Sequence, residues 1–200
     1  FADINGDGVI NNQDCTFIGD PQPDFTYGIG NTFSWKGFDL SIFFNGSYGN
    51  DILNLTGREL SDVRVNSNLL KECAGYAKLG VIDPNLPDND FRNLYVTNPN
   101  SRLPRLSAST TNANNRVSDR YVEDGSYIRL QNISLSYTLP KSLVTKLKLQ
   151  NVKVYMNLQN VYTWTNYSGY DPEVGAMYGD ALMTGVDYGR YPSPRIYTFG

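Results

Sequence analysis

The sequence predicts an all-β fold, in which the strands form the C-terminal part of a large antiparallel transmembrane β-barrel with long extracellular loops. Long segments of alternating apolar and polar residues are the first observation behind this prediction, and the alternation of short and long connectors is the second. The third is composition: aromatic residues make up 13% of the 200 residues, with 15 Tyr, 9 Phe and 18 Gly, and only 18% are charged. Soluble domains carry closer to a quarter charged residues, whereas aromatic residues favour strands.

Composition also excludes several other classes. The mean hydropathy of −0.41 argues against a bundle of membrane helices, and no run reaches the roughly 18 apolar residues of a spanning helix. A membrane barrel passes both tests, because only every second residue of its strands faces lipid. The net charge is −3 without a basic block that would indicate nucleic acid binding, and without His no Ser–His or Cys–His catalytic pair can form. We therefore expect no enzymatic activity.

The alternating pattern of residues 25–48 predicts the first hairpin. Along 25–35 one face carries large apolar side chains and the other carries Gly, Ser and Thr, and the same alternation continues over 38–48. Lys36 and Gly37 form the tight connector between the two strands. Eleven residues per strand is close to what a tilted strand needs to cross a bilayer.

Residues 49–125 predict a long external loop, since the alternation stops and Asn, Asp, Gly, Pro and Ser accumulate. A weak helical periodicity over 66–79 places four residues on one side, namely Leu69, Leu70, Cys73 and Ala77. So long a loop is uncommon inside a compact domain but ordinary on the outer face of a barrel.

Residues 126–165 predict a second hairpin, whose strands are joined by a basic connector at 141–151. Ile128 and Leu130 lie in the opposite phase to Ile133 and Leu135, which predicts a β-bulge at Gln131–Asn132. Residues 166–193 follow as another external loop, and 194–200 read as the start of a last strand.

Connector length predicts the arrangement of the whole chain. Outer-membrane barrels have short periplasmic turns and long extracellular loops, so we expect residues 1–24, 49–125 and 166–193 to lie outside. Residues 1–200 are then one part of a single barrel domain. Five strands cannot close a membrane barrel, since the smallest have about eight. We therefore expect the ends to be cut and the missing strands to lie upstream.

Residues 1–24 contain the strongest local motif, a loop with EF-hand-like spacing. Calcium takes six to eight oxygen ligands, and a Gly at the sixth position, here Gly8, permits the sharp turn. The predicted structural Ca²⁺ ligands are Asp3, Asn5, Asp7, the Val9 carbonyl, Asn11 and Asp14. The alternative is a loop of Asx-turns that holds itself together without metal.

Three other groups of residues are weaker candidates. Asp171 and Glu173 could form a carboxylate pair, but Pro172 between them favours a turn. Exposed tyrosines of 166–193 would suit stacking on sugars or burial under a partner, unless they pack the loop against itself; they are Tyr167, Tyr170, Tyr178, Tyr188 and Tyr191. Cys15 and Cys73 fit no zinc pattern, and whether they form a disulfide is left open.

Several motifs, in the same order along the chain, resemble the C-terminal region of SusC/RagA-type TonB-dependent transporters. They are Asp3-Ile-Asn-Gly-Asp-Gly-Val-Ile10, Ile18-Gly-Asp-Pro-Gln-Pro-Asp-Phe-Thr-Tyr-Gly28, Trp35-Lys-Gly-Phe-Asp-Leu40, Gly46-Ser-Tyr-Gly-Asn-Asp51, Tyr127-Ile-Arg-Leu-Gln-Asn-Ile-Ser-Leu135, Tyr167-Ser-Gly-Tyr-Asp-Pro-Glu173 and Arg195-Ile-Tyr-Thr-Phe-Gly200. The resemblance implies TonB-dependent import of oligosaccharides or peptides across the outer membrane of a Gram-negative bacterium. It also implies a SusD-like surface lipoprotein as partner and contact with the TonB complex through regions absent from this chain.

The runner-up hypothesis is a secreted, calcium-stabilised β-sandwich that acts as a carbohydrate-binding module. The two hypotheses differ in what covers the apolar faces of the strands. A transporter places these side chains on lipid, whereas a sandwich gathers them into one core. The residues that distinguish the two are Phe25, Phe33, Leu40, Ile42, Leu135 and Met156.

Overall fold

A computed structural model describes residues 1–64, 68–87, 90–101, 103–108, 114–146, 148–175, 180 and 182–200. The chain divides into two compact units, which are described separately. The sheet unit comprises Phe1–Asn54 and Val122–Gly200, and the insert unit comprises Leu55–Tyr121.

In chain order the strands and α-helices are β1 (Phe25–Trp35), β2 (Phe38–Tyr48), β3 (Asp51–Asn54), α1 (Leu55–Leu60), β4 (Leu79–Val81), β5 (Leu94–Val96), β6 (Val122–Asp124), β7 (Tyr127–Thr138), α2 (Lys141–Lys146), β8 (Lys153–Thr165), β9 (Val186–Asp187) and β10 (Ile196–Phe199). Short 3₁₀ turns lie at Asn12–Asp14, Lys71–Gly75, Phe91–Asn93 and Asp119–Tyr121. No helix within the described ranges is both long enough and apolar enough to cross a membrane.

The sheet unit is built on one five-stranded antiparallel sheet in the order β1-β2-β7-β8-β10. A smaller three-stranded sheet, β6-β3-β9, lies in the same unit, and β3 runs parallel to β9 in it. The insert unit contains the antiparallel pair β4-β5. The large sheet is open at both edges, so the described strands do not form a closed barrel.

One face of the large sheet carries apolar side chains in rows that cross the strands. The register aligns one such row through all five strands, made of Phe33, Leu40, Leu135, Met156 and Phe199. Phe33 is 59% exposed and Phe199 is 70% exposed. Of the six residues that separate the two hypotheses, Phe25, Phe33 and Leu135 are exposed and the other three are half-buried. None of the six enters a core, which is what the barrel hypothesis predicts and the sandwich hypothesis does not.

The opposite face carries mainly small and polar side chains, with large exceptions such as Phe43 and Tyr155. Another row of the register there brings together Gly28, Asn45, Arg129 and Thr163. Arg129 is only 2% exposed. A buried guanidinium on a strand needs partners, because an unpaired buried charge is costly, and this residue leads to the candidate site.

The β1–β2 connection is the predicted two-residue turn. Lys36 and Gly37 both have positive φ, at 46° and 90°, as the type I′ turn of a hairpin requires. A Cβ on Gly37 would lie 2.7 Å from the carbonyl oxygen of Thr138 at the end of β7. Gly37 therefore serves both the turn and the close approach of the neighbouring strand.

The predicted bulge is present in β7. Phe43 pairs with Asn132 and Phe44 with Leu130, so Gln131 has no partner on β2. The pairing of β7 with β8 also shifts between Leu130 and Asn132. The extra residue restores apolar side chains to the same face on both sides of the bulge, which confirms the reason for predicting it.

The structure corrects the prediction for 49–125. This segment is not irregular throughout, since it contains β3 to β6 and α1. The helical stretch predicted over 66–79 is wrong where it can be compared: Lys71–Gly75 forms a 3₁₀ turn and Leu79 begins β4. Residues 66–67 lie outside the described residues. Cys73 is buried in that turn, so the periodicity reflected burial of a short turn, not a regular α-helix.

Two further features were left open by the sequence. The basic connector contains the one-and-a-half-turn helix α2, which buries Val144. Both cysteines carry free thiols, with Cys15 exposed and Cys73 buried.

Candidate functional site

Arg129 is the centre of a charged cluster on the polar face of the sheet. It lies on β7, and its Nε donates a hydrogen bond of 2.9 Å to Oγ1 of Thr163 on the adjacent strand β8. Since Thr163 is directly opposite Arg129 in the register, the strand pairing itself directs the guanidinium along the sheet. The remaining N–H groups are free to bind partners from outside the sheet.

Those partners come from residues 166–193. Arg129 Nη2 binds Oδ1 of Asp171, and Nη1 binds Oε2 of Glu173 at 2.7 Å. The Arg129 and Asp171 side chains are 3% and 5% exposed, whereas that of Glu173 is 49% exposed. The cluster therefore has a buried ion pair at its base and a solvent-facing carboxylate at its rim.

The predicted turn at Asp171–Glu173 is present, because the backbone N–H of Glu173 donates to Asp171 Oδ1 at 3.1 Å. The sequence did not reveal that both carboxylates bind the same guanidinium. The sequence feature that could have indicated this contact is Arg129, because it is the single charged residue on a face of β7 whose other residues are small or polar. Both carboxylates act as hydrogen-bond acceptors for Arg129, so their role in this geometry is to hold the segment in place.

Asp171 is ionised at neutral pH. Burial raises the pKa of Asp171, but hydrogen bonds from the backbone N–H groups of Ser193 and Glu173, together with the charge of Arg129, outweigh burial and hold the pKa below its usual 3.8. The Ser193 N–H lies 3.0 Å from Asp171 Oδ2. One carboxylate thus connects the beginning of the 166–193 segment, its end and the sheet.

A second buried contact fixes the same segment. Tyr167 Oη donates a hydrogen bond of 2.6 Å to Oδ2 of Asp187 on β9, and Asp187 also accepts from the N–H groups of Gly189 and Arg190. Burial and the hydrogen bond to Asp187 both raise the pKa of the Tyr167 phenol, so it remains a donor. The segment predicted as an external loop is therefore tethered at several points.

A cavity of about 540 Å³ opens beside the cluster. Its lining includes Arg129, Asp171, Tyr170, Tyr191 and Arg195. Tyr170 is 74% exposed and Tyr191 is 85% exposed. Exposed tyrosine rings provide apolar faces with a polar tip, which suits contact with a sugar ring or a protein partner.

The tyrosines that the sequence singled out in 166–193 differ in their exposure. Tyr167 is buried and packs the segment against itself through Asp187, as the self-packing alternative predicts, while Tyr170, Tyr188 and Tyr191 are exposed. Tyr178 lies outside the described residues. The exposed rings remain candidates for contact with a ligand or partner.

The six predicted calcium ligands lie in one N-terminal loop. Asp3 accepts hydrogen bonds of 2.7 Å from the N–H groups of Gly6 and Gly8. Other bonds join the remaining ligands: Asn5 Nδ2 donates to Asp7 at 3.1 Å, Asn11 Nδ2 donates to the Val9 carbonyl at 3.2 Å, and the Asn11 N–H donates to Asp14 at 2.8 Å.

Gly8 has φ of +83°, as the sharp turn of the motif requires. Throughout the described residues, no three Asp, Glu, Cys or His side chains are grouped to hold a metal ion. The N–H of Asp7 donates to Asn5 Oδ1 at 2.9 Å and the N–H of Val9 donates to Asp7 Oδ1 at 2.8 Å, which are the bonds of Asx-turns. Calcium binding stays a prediction.

No family model matches the chain. Among curated proteins, it is 38% identical over its full length to TonB-dependent receptor P3 of Formosa agariphila and 32% identical to TonB-dependent receptor P26 of the same bacterium, covering 18% and 19% of them. It is also 25% identical to TonB-dependent receptor SusC of Bacteroides thetaiotaomicron, of which it covers 17%. The chain thus spans less than a fifth of the length of these relatives.

Solved structures show the same fold. The RagAB peptide transporter matches 92% of this chain at a TM-score of 0.66 and 22% identity, and the chain covers 17% of it. The RagAB peptide importer in its open-open state matches 89% at a TM-score of 0.63 and 23% identity, with the same 17% covered. The large sheet is therefore an open segment of a barrel fold, not one half of a sandwich. Together with the full-length match to the curated receptors, this fold shows that the chain is similar throughout to a segment of SusC/RagA-type TonB-dependent receptors.

Proposed function

We propose that this chain forms part of an importer in the outer membrane of a Gram-negative bacterium, which takes up oligosaccharides or peptides. TonB would supply the energy through regions outside these 200 residues, and a SusD-like lipoprotein would cover the outer face. Support comes from the similarity to TonB-dependent receptors, which include SusC, and to the RagAB peptide importer.

The two-faced sheet is the observation that carries the proposal. One apolar row is continuous across five strands, and three of its members, Phe33, Leu135 and Phe199, are exposed, as in a surface against lipid. Its other face carries mainly small and polar residues and the Arg129 cluster, as the inside of a barrel does. The 166–193 segment binds to that polar face, so we infer that it folds inward over the lumen.

Connector length supports the orientation. β1 and β2 are joined by two residues, and β7 and β8 by the segment that includes α2, so these connections belong on the periplasmic side. Residues 1–24, 49–125 and 166–193 then lie on the extracellular side. In this arrangement residues 1–200 contribute to a single barrel domain, and the exposed rings of Tyr170 and Tyr191 are near the outer entrance.

Import is tested by uptake in intact cells. Cells with the full-length receptor are given fluorescent oligosaccharides or peptides, with and without a protonophore that removes the energy TonB uses. We expect accumulation that depends on the receptor gene and is abolished by the protonophore. Accumulation that the protonophore leaves unchanged would contradict active import, and it would indicate a passive pore instead.

We also propose that the N-terminal loop binds Ca²⁺ in a structural role. The three carboxylates, two amides and one carbonyl of the predicted set are the hard oxygen ligands that calcium prefers. Binding would require Asp3 and Asp14 to exchange some of their bonds to backbone N–H groups for the ion.

The calcium proposal is tested by the thermal stability of the receptor during a calcium titration. We expect a rise in Tm that saturates, because an ion that binds only the folded state stabilises it by mass action. The Asp7→Ala variant should lose the rise. A Tm that calcium does not change, or a rise that survives Asp7→Ala, would exclude the site.

A further inference from the structure

The insert unit contains a small cavity with a strongly basic lining. It has a volume of about 250 Å³, and its described lining residues include five arginines and one carboxylate, that of Asp62. The arginines are Arg58, Arg64, Arg105, Arg116 and Arg120. The chain has ten arginines and a net charge of −3. Half of its guanidinium groups therefore line one cavity, in a chain that is acidic as a whole.

Asp62 neutralises one of these arginines. Arg64 Nη2 lies 2.5 Å from Asp62 Oδ2, and its Nε lies 2.8 Å from Oδ1. The hydrogen bond from Arg64 lowers the pKa of Asp62 to about 2, so the carboxylate stays charged at any physiological pH. The amide of Asn115 also donates to Asp62, and Asp62 thus has its acceptors largely occupied.

Arg58 is also occupied in part. Its Nη1 is 3.3 Å from Oε1 of Glu59, and its Nε donates to the Asn115 carbonyl at 2.7 Å. Arg58 and Arg64 thereby connect the wall of the cavity to the segment around Asn115. Their role is to build the cavity, and their charges are largely balanced.

Two arginines at the cavity have no acidic partner within the described residues. Arg105 and Arg120 are both exposed, and neither takes part in an ion pair of the described structure. The guanidinium of Arg120 lies 5.3 Å from the ring centroid of Tyr121, and Tyr121 is held by a hydrogen bond to Asn115. Arg120 is thus positioned by a buried ring while its N–H groups remain available.

We propose that this cavity is a binding site for a carboxylate or sulfate group of a small acidic ligand. All the basic groups are Arg and none is Lys, and the planar guanidinium binds such oxyanions through paired hydrogen bonds. The volume lies just below the usual range for small-molecule sites, about 300–1,000 Å³. It therefore suits one charged residue or sugar unit, not a polymer.

The site does not depend on the proposed import, because binding is measured directly. The full-length receptor in detergent at low salt is titrated by calorimetry with glucuronate, galactose 6-sulfate, inorganic sulfate and neutral glucose. We expect saturable binding of the two acidic sugars and none of glucose. Inorganic sulfate separates the contribution of the charge from that of the sugar: binding equal to that of galactose 6-sulfate would mean that the site recognises the oxyanion alone. Affinity should fall as salt is raised, since exposed charges are screened.

Variants locate the site. Arg105→Gln combined with Arg120→Gln should weaken binding about tenfold or more, because each removes a charge-assisted hydrogen bond. Arg92→Gln is the matched control, since Arg92 lies in the same unit and is exposed but does not line the cavity. Its affinity should equal that of the wild type.

Three results would overturn the proposal: no binding of either acidic sugar, equal binding of glucose, or unchanged affinity in the double variant. The single variant Arg105→Gln is a second test, because it leaves the contact between Arg120 and Tyr121 intact. It should still weaken binding severalfold, with an unchanged Tm that excludes misfolding.

Discussion

At the scale of single residues, folding replaces the hydrogen bonds between the Arg129 guanidinium and water by hydrogen bonds to three side-chain acceptors. Thr163, Asp171 and Glu173 surround it on a strand where it is 2% exposed. A buried ion pair is not in itself a large source of stability, because both charges lose their hydration. The ion pair instead determines which segment binds to this face of the sheet. Because Arg129 is buried, residues 166–193 have to supply its counter-charges.

Replacing Arg129 by Ala should release this segment. Removing one partner leaves the Asp171 carboxylate buried and unpaired, which typically costs about 3–5 kcal/mol. The measurement is urea unfolding of the receptor in lipid vesicles, with limited proteolysis across 166–193. The control is Arg92→Ala, which removes a surface pair with Asp90 at a 77% exposed side chain and should cost about 0–1 kcal/mol. Equal effects of the two substitutions would contradict the anchoring role.

The same cluster makes the segment sensitive to acid. The folded pKa of Asp171 lies below its usual value, so its stabilisation is fully present above the unfolded pKa of about 3.9 and is lost as pH falls through the folded pKa. Protection factors of 166–193, which correct hydrogen-exchange rates for the intrinsic effect of pH, should therefore be unchanged from neutral pH down to about pH 4 and fall below it. Asp171→Asn should remove this dependence. A fall already near pH 6 would point to another titrating group.

At the scale of elements, the hairpin turn and the bulge set the alignment of the sheet. A two-residue turn fixes the register of β1 against β2, and a slip by one residue would turn every apolar side chain to the polar face. The bulge at Gln131 keeps Ile128 and Leu130 on the same face as Ile133. Both features act through the backbone, not through side-chain packing.

Gly37→Ala should destabilise the first hairpin. A left-handed backbone costs a non-Gly residue roughly 1–2 kcal/mol, and the added Cβ would meet the Thr138 carbonyl. The measurement is again urea unfolding in vesicles. Gly75→Ala is the control, because a Cβ there meets nothing within 4 Å and its φ is not positive. A smaller effect of Gly37→Ala than of Gly75→Ala would show that the turn does not require Gly.

The elements that were predictable are those with a strict period of two. β1 and β2 have the predicted bounds, because eleven alternating residues leave few other solutions. The short strands β3 to β6 were missed, since three or four residues are too few to show a period. Their pairing depends on contacts with distant parts of the chain, such as that of Leu53 with Val186, which no local pattern contains.

At the scale of the whole molecule, the sheet separates two chemical environments. The sequence could predict that the faces differ, because alternation alone assigns each residue to a face. It could not predict that Asp171 and Glu173 would meet Arg129, since 42 and 44 residues separate them. Nor could it reveal the arginine-lined cavity of the insert unit, whose lining comes from distant parts of 49–125.

The difference between the two faces bears on how an open sheet can be stable without a large protein core. Few large side chains are buried, and the buried hydrophobic residues of the described chain are Ile52, Cys73, Tyr121, Val144 and Tyr167. The apolar rows of the sheet are therefore not stabilised by a protein core of this chain. In the proposed function, lipid covers them.

The membrane-barrel proposal is tested most sharply by the accessibility of spin labels along β2 and β7 in the full-length receptor reconstituted in lipid vesicles. Nitroxides at Leu40 and Leu135 probe the apolar face, and nitroxides at Ser41 and Ser134 probe the polar face. If β2 and β7 cross the bilayer, the first two labels collide with oxygen dissolved in lipid, whereas the second two collide with a water-soluble nickel chelate. Labels at Leu40 and Leu135 that are shielded from both reagents would place these residues in a protein core, and this result would exclude a membrane barrel.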